Sequence, residues 1–392
     1  MMFLTLLFGT SYAEEQASNE VLIIAVDGVI NPVSAEFIGK SIKKANDRKT
    51  EAVVIELDTP GGLDISMRSI IKEILGSEVP VVVFVSPSGA RAASAGTFIT
   101  LAAHIAAMAP QTNIGAAHPV GIGGNMDKTL AEKAVNDAAA YIKSIAENRK
   151  RNAAWAEDAV RKSISATEEE ALKNNIIDLV SKDTASLLNA IDGHVVQTTT
   201  GAKTLHTARS SITREEMGVR LKILDLVSNP NVAYILMLLG FYGLFFELTN
   251  PGAIFPGVMG GICLILAFYA LQTIPVNYAG LLLIILSIIL FVLEAQIVSH
   301  GVLTIGGVIA LTIGSLMLFD TGIPFIKLSL SIVIPAVIVT AAFFSLTLSL
   351  AFMAFMRKPV TGIEDLIDKT GTATTDIAIG PEGGKGGMVS VQ

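Results

Sequence analysis

The sequence predicts an α/β domain followed by a five-helix transmembrane domain and a short β segment. Three observations carry that expectation. Between Glu20 and Val85, apolar strands alternate with amphipathic helices. Between Leu226 and Met356 the only Asp, Glu, Lys or Arg residues are Glu247, Glu294, Asp320 and Lys327, too few for a soluble domain. After Lys358 the chain turns Thr- and Gly-rich. The 392 residues are 51% hydrophobic and 16% charged, with mean hydropathy +0.60. A net charge of -7 with no basic stripe argues against a nucleic-acid partner. Cys263 stands alone in an apolar segment, which excludes an intramolecular disulfide and a cysteine metal site. No cofactor is expected.

Residues 1–19 read as a leader: MMFLTLLFGTSYA has a short apolar run and ends Ser11-x-Ala13, the small-x-small shape of a cleavage site, although a basic start is missing. The α/β domain then spans 20–208. Its predicted elements are a strand at Val21 to Val26, a helix at Pro32 to Asn46, a strand at Ala52 to Leu57 and a helix from Leu63 to Leu75. Asp58-Thr59-Pro60-Gly61-Gly62 sits at the end of the second strand, where open α/β sheets place their ligands. Two successive glycines leave backbone N–H groups unobstructed, which suits an oxyanion hole; a simple turn is the plainer alternative.

The stretch VVVFVSPSGARAASAG, Val81 to Gly96, is the centre of the reading. A buried strand passes through a Pro/Ser/Gly break into tiny residues around Ser94, and FITLAAH can continue as a helix. Ser94 would stand at a helix N-terminus, where free N–H groups favour negative charge. Ala92, Ala93, Ala95 and Gly96 leave room for a substrate backbone. That is a nucleophile's setting; a helix cap is the structural alternative.

Further on, the sequence predicts a strand at Ala106 to Ala109, a loop at Gly115 to Gly124 and a long helix from Met126 to Lys150. Helices near Ala153 to Ser163 and Thr167 to Asn174 follow, then a strand at Ile176 to Val180 and a hairpin over 194–207 turning near Gly201. Residues 209–228 read as a polar linker and 229–357 as the membrane domain, with apolar segments at 231–246, 253–273, 279–297, 302–319 and 329–356. An odd number of spans puts the two ends on opposite faces. Arg357-Lys358 after the last span favours a cytoplasmic C-terminus and an extracytoplasmic α/β domain. Glu247 before Gly252 and Gly257, and Glu294 before Gly301 and Gly306, suggest an internal duplication. Gly257 with Gly261, and Gly306 with Gly307, offer close helix contacts. The two glutamates read as interfacial rather than as an ion path. Residues 358–392 read as one hairpin, the start of a third domain cut short.

A serine hydroxyl needs a base. On the long helix the apolar face is Leu130, Ala134, Ala138, Tyr141, Ile142 and Ile145, and Lys133 falls on or beside it, whereas Lys143 and Lys128 are freer. A lysine serves as a base only when neutral, and apolar burial favours that state, so Lys133 fits best. His118, in GAAHPV, is the competitor, but no acid is evident to orient its imidazole. His104, in the helix expected after the serine, reads as a packed or capping residue.

Taken together, strand-DTPGG, PSGARAASAG, MAPQTNIGAAHPV and a helix carrying KAVNDAAAYIKS resemble the membrane-bound NfeD family of ClpP-class serine proteases. The five-span block and the tail resemble the rest of that family's long form. The resemblance implies a ClpP/crotonase-like fold and a Ser/Lys dyad of Ser94 and Lys133, the lysine ten residues before Lys143. It implies oxyanion donors at Gly61 and Ala95, with Gly62 supporting the turn. His118 aligns with the histidine of soluble ClpP, but Arg161-Lys162-Ser163 stands where ClpP has its aspartate. It further implies an oligomer of at least two copies, an OB-like C-terminal domain, and apolar segments of stomatin- or prohibitin-like membrane proteins as substrates. The rival readings are a non-catalytic scaffold for stomatin-like partners, crotonase-type acyl-CoA chemistry, and, with few polar groups in the spans, a transporter last.

Overall fold

The computed structural model describes residues 19–120, 127–249, 252, 254–273, 276–297, 301–319, 328–356 and parts of 370–391. The proposed leader lies outside them, apart from Asn19. The chain forms two compact units: residues up to 281 with 314–332, and residues 282–313 with those from 333 onward.

In the first unit, six parallel strands form a sheet in the order β11-β1-β2-β3-β5-β8. They are β1 (Glu20–Asp27), β2 (Ala52–Asp58), β3 (Val81–Val85), β5 (Ile105–Met108), β8 (Leu179–Val180) and β11 (Ser211–Glu215). Strand side chains alternate between faces, and both faces here are buried. Leu22, Ile24, Val53, Ile55, Val81 and Val83 pack under helices α1 (Pro32–Arg48), α2 (Asp64–Leu75) and α3 (Ala95–Ala102). Val21, Ile23, Val54, Val82 and Phe84 pack on the opposite face with Leu187 and Leu188 of α7 (Thr184–Ala190). Helix α1 starts where Asn31 and Ser34 cap each other reciprocally ahead of Pro32.

A smaller sheet, β4 (Arg91–Ala93), β6 (Asn113–Gly115) and β7 (Ser165–Thr167), sits at the carboxyl ends of the main strands, tied on by a bridge between Thr59 and Ala92. Next come α4 (Lys128–Asn148), α5 (Ala153–Arg161) and α6 (Glu168–Lys173), then the hairpin of β9 (Val195–Thr198) and β10 (Gly201–Thr204).

The stretch expected to be a linker is instead structured. Strand β11 extends the main sheet, pairing Glu20 with Ser211 through Ile24 with Glu215. Its polar sequence reflects an edge position with solvent on one side; Arg214 donates to Glu56 at 2.8 Å and Lys44 bonds Glu215. Helix α8 (Val219–Val227) follows and packs on α1, with Asn31 Nδ2 donating to Asp225 at 3.0 Å.

Five apolar helices come next: α9 (Pro230–Thr249), α10 (Ile254–Thr273), α11 (Tyr278–Gln296), α12 (Val302–Leu318) and α13 (Leu330–Met356). Among the described residues, Pro230–Leu248 and Ile254–Gln272 have the length and hydropathy to cross a bilayer. Helices α9 and α10 touch through Gly240, Gly243 and Gly260: a Cβ on Gly260 would lie 2.7 Å from the Gly240 carbonyl oxygen. Of the two expected contacts, Gly261 has open space around it, whereas Gly257 closely approaches the Glu247 side chain of α9. In the second unit a Cβ on Gly307 would lie 2.6 Å from the Phe291 ring, which stacks on Phe344 at 4.2 Å. There Glu294 is buried, and its side-chain oxygens accept from Gly301 N at 3.0 Å and Thr304 N at 2.8 Å, satisfying amides at a helix N-terminus. Interfacial exposure is therefore not its state. Within each half, the glutamate ending one helix folds back on the start of the next. The tail forms nested antiparallel pairs, β12 (Gly371–Ala373) with β15 (Val389–Val391) and β13 (Ala378–Ile379) with β14 (Lys385–Gly386), the pairing of one hairpin.

Candidate active site

Ser94 occupies the joint between β4 and α3 at φ 52° and ψ -113°, a conformation that L residues rarely adopt. Its N–H donates to the Gly115 carbonyl at 2.9 Å and its own carbonyl accepts from Thr97 N at 3.0 Å. Thr97 locks the turn from below, with Oγ1 2.9 Å from the Ala92 carbonyl and 3.1 Å from Gly115 N. The Ser94 side chain makes no capping bond, so the cap alternative does not describe it. Among the described residues its half-buried hydroxyl has no hydrogen-bond partner.

The DTPGG turn closes over this hydroxyl. Thr59 N donates to the Arg91 carbonyl at 2.7 Å and Ala93 N to the Thr59 carbonyl at 3.1 Å, which binds the turn to β4. Gly61 has φ +120°, and a Cβ there would fall 2.7 Å from Ser94 Cβ. A Cβ on Gly62 would run into the Ile30 carbonyl, and one on Gly96 would sit 2.6 Å from Thr59 Cγ2. These glycines are required by close approach.

Gly61, expected as an oxyanion donor, has its N–H committed to Thr59 Oγ1 at 3.0 Å. Among the described residues the amides of Gly62 and Ala95 have no acceptor. Thr59 was not singled out by sequence reading. A signal was present: a threonine two residues before a glycine commonly closes a turn by this bond.

Lys133 lies on the second turn of α4 and is exposed. The burial expected of it is not found. The helix buries Ala138, Ala139, Ile142, Ile145 and Ala146, whereas Leu130 is 56% exposed. Periodicity identified the apolar face but not how far along it other elements reach. Two fixed points orient α4 along α3: Tyr141 stacks on Phe98 at 6.1 Å, and Arg149 Nε donates to the Ala102 carbonyl at 2.8 Å. Arg68 of α2 lies over Tyr141 at 4.4 Å and bonds Asp137 at 2.5 Å.

His118 is exposed, and its Nδ1 lies 2.8 Å from the Val160 carbonyl. It lines a cleft of about 460 Å³ with Ala131, Glu132, Val135, Asn136 and Arg161. Its orienting partner is thus a backbone oxygen. Residues 121–126 of the expected loop lie outside the described residues. His104 packs as expected: it is held down to a pKa of about 3 by burial and by Arg149 and Arg151, and Nδ1 accepts from Val81 N at 3.1 Å.

Two family models match the chain, NfeD1b N-terminal domain over residues 20–214 and NfeD integral membrane domain over 231–360. A protein named membrane-bound protease PH1510, from Pyrococcus horikoshii, is 35% identical over 94% of this chain and 85% of its own length. The chain belongs to the NfeD family. It is a membrane protein and a serine protease of the ClpP class. Membrane protein NfeD1b of Bacillus subtilis is 30% identical over 91% of this chain and 80% of its own. The α/β domain resembles the solved 1510-N membrane-bound stomatin-specific protease, a lysine-to-alanine variant in complex with a substrate peptide. The TM-score is 0.50 at 35% identity, covering 53% of this chain and 97% of that one.

Proposed function

We propose that this NfeD protein is a membrane-anchored endopeptidase that cleaves apolar segments of a stomatin-like, membrane-associated protein through an acyl-enzyme on Ser94. The observation that carries the reading is the conformation of Ser94: a strained turn at a helix start, with the hydroxyl uncommitted and the Gly61 backbone against it. Helix-start amides favour the charge that develops as the tetrahedral intermediate forms.

Lys133 is the base in this reading. Tyr141 of α4 pairs with Phe98 of α3, and Arg149, just past the end of α4, reaches the Ala102 carbonyl at the end of α3, so the two helices run in the same direction; that supports the amino-terminal turns of α4, which carry Lys133, on the Ser94 side. Neutral Lys133 takes the Ser94 proton as Oγ attacks the scissile carbonyl, then gives it to the departing amine. In deacylation Lys133 takes a proton from the water that attacks the acyl ester and returns it to Ser94 Oγ as the ester bond breaks. The free amides of Gly62 and Ala95 support these two as the oxyanion donors, with Gly61 setting the turn. Lys133 works as a base only once covered, and exposed Leu130 and Val120 suit coverage by an apolar substrate or by a second copy in a homo-oligomer. His118, held by the Val160 carbonyl and with no acid to orient it, is the alternative base.

The membrane part reads as five spans, with the protease domain extracytoplasmic and the C-terminus cytoplasmic. Asn277 N bonds the Leu318 carbonyl at 2.9 Å and Ser329 N bonds Asn231 Oδ1 at 3.0 Å, which supports α11 starting at the level where α12 ends and α13 starting at the level where α9 starts.

The test is cleavage of an apolar stomatin-derived peptide by the full chain in nanodiscs. Loss of activity in both Ser94→Ala and Lys133→Ala is expected; full activity in either variant refutes the dyad. The exposure of Lys133 favours one rival, a non-catalytic scaffold, which predicts no Ser94-dependent cleavage at all.

A further inference from the structure

Helix α8 carries three apolar side chains that nothing in the first unit covers: Val219 is 74% exposed, Ile223 49% and Leu226 61%. At 100° per residue these three positions fall within about 60° of one another, a single stripe. Arg220 and Lys222 flank the stripe on its two sides. The opposite face is spoken for: Leu221 belongs to the core of the α/β domain, with Leu224 packed against it. Arg220 donates to Glu36 of α1 at 2.7 Å, and Asp225 accepts from Asn31.

The surroundings identify the occupant of the open face. Ser228 and Asn229 alone separate α8 from α9, the first helix long and apolar enough to cross a bilayer. Helix α10 touches α8, and Tyr269 stands near the carboxyl end of α10. A tyrosine at the end of a span marks headgroup depth, so α8 stands at that depth. An apolar stripe edged by cations is the pattern of a helix lying in the plane of the interface.

We propose that α8 is an interfacial membrane helix: its Val219, Ile223 and Leu226 stripe rests in the lipid headgroup and acyl boundary, while its other face holds α1 of the protease domain. The helix sets the height of the protease domain above the bilayer, independently of how Ser94 is activated.

The experiment uses the full chain with Cys263→Ala, reconstituted in phosphatidylcholine/phosphatidylglycerol nanodiscs. Nitroxides are placed singly through Val219→Cys, Ile223→Cys, Leu226→Cys and, as the aqueous reference, Lys222→Cys. The expected result is a ratio of oxygen to nickel-chelate accessibility several-fold higher at the three stripe positions than at 222. Equal ratios would put the stripe in water, and low accessibility to both reagents would put it under a protein surface such as a second copy; either result overturns the proposal. A gentler variant, Leu226→Trp, gives a second readout. Brominated lipid should quench its added fluorescence over the background of Trp155, which lies in α5; unquenched added fluorescence overturns the proposal as well.

Discussion

Gly61 and Ser94 approach so closely that a Cβ on the glycine would lie 2.7 Å from the serine Cβ and 3.2 Å from its Oγ. Gly61→Ala therefore strikes the nucleophile directly, and at φ +120° it also strains the turn. Peptide cleavage is expected to fall at least ~100-fold, as when a reacting group is displaced. Gly28→Ala is the control: its φ is +104°, but nothing lies within 4 Å of the added carbon. It should lower stability by roughly 1 kcal/mol and leave the rate nearly unchanged. Equal rates for the two variants would contradict the close approach as a catalytic constraint.

Backbone strain at Ser94 makes a second prediction. A non-glycine residue in such a region costs on the order of 1–3 kcal/mol. Ser94→Gly removes both hydroxyl and strain, so it should be inactive yet more stable than Ser94→Ala by about 1 kcal/mol. Urea titration followed by Trp155 fluorescence measures the difference, since the single tryptophan lies in the protease domain. An alanine variant as stable as the glycine variant would remove strain from the account.

Much of this site was legible in the sequence because its demands are local. Unbroken apolar runs marked β1, β2 and β3, and the Pro/Gly and Ala/Gly punctuation marked both turns that meet at Ser94. What escaped depended on partners distant in sequence. Strand β11 looked like linker because an edge strand shows solvent a polar face. The exposure of Lys133 turns on whether anything covers the first turns of α4, which helical periodicity does not encode. Gly260 rather than Gly261 touches α9 because helix rotation is set by the neighbour. The Gly61 amide was a different matter, since Thr59 sat two residues away with a hydroxyl suited to it.

Arg151 holds the far end of α3. Its side chain is 2% exposed, Nη1 donates to the carbonyls of Leu101 at 2.7 Å and Ala103 at 2.9 Å, and Nη2 meets Asp178 at 2.5 Å. Arg151→Met strands two carbonyls, at about 1–3 kcal/mol for each buried group left unpaired, while Asp178, 37% exposed and still held by Ala106 N, meets water. The urea midpoint should drop accordingly. A loss under ~1 kcal/mol would mean that water replaces the guanidinium, an outcome at odds with its burial.

His104 gives the pH dependence a sign. Burial, with Arg149 and Arg151 nearby, lowers its folded pKa to about 3, while the unfolded chain binds the proton near the ordinary value of 6.5. Above that value both states are neutral at this position, and it contributes no slope. As pH falls from 6.5 toward 3 the unfolded state takes up the proton first, so stability declines with falling pH throughout that window. His104→Asn removes the titrating group, and its side-chain oxygen can still accept from Val81 N. Urea midpoints measured between pH 7.5 and pH 4.5 should fall more steeply in the wild type than in the variant, by up to ~1.4 kcal/mol per pH unit for one proton. Parallel lines for the two proteins would show that His104 titrates alike in the folded and unfolded chains, contrary to its burial beside two arginines.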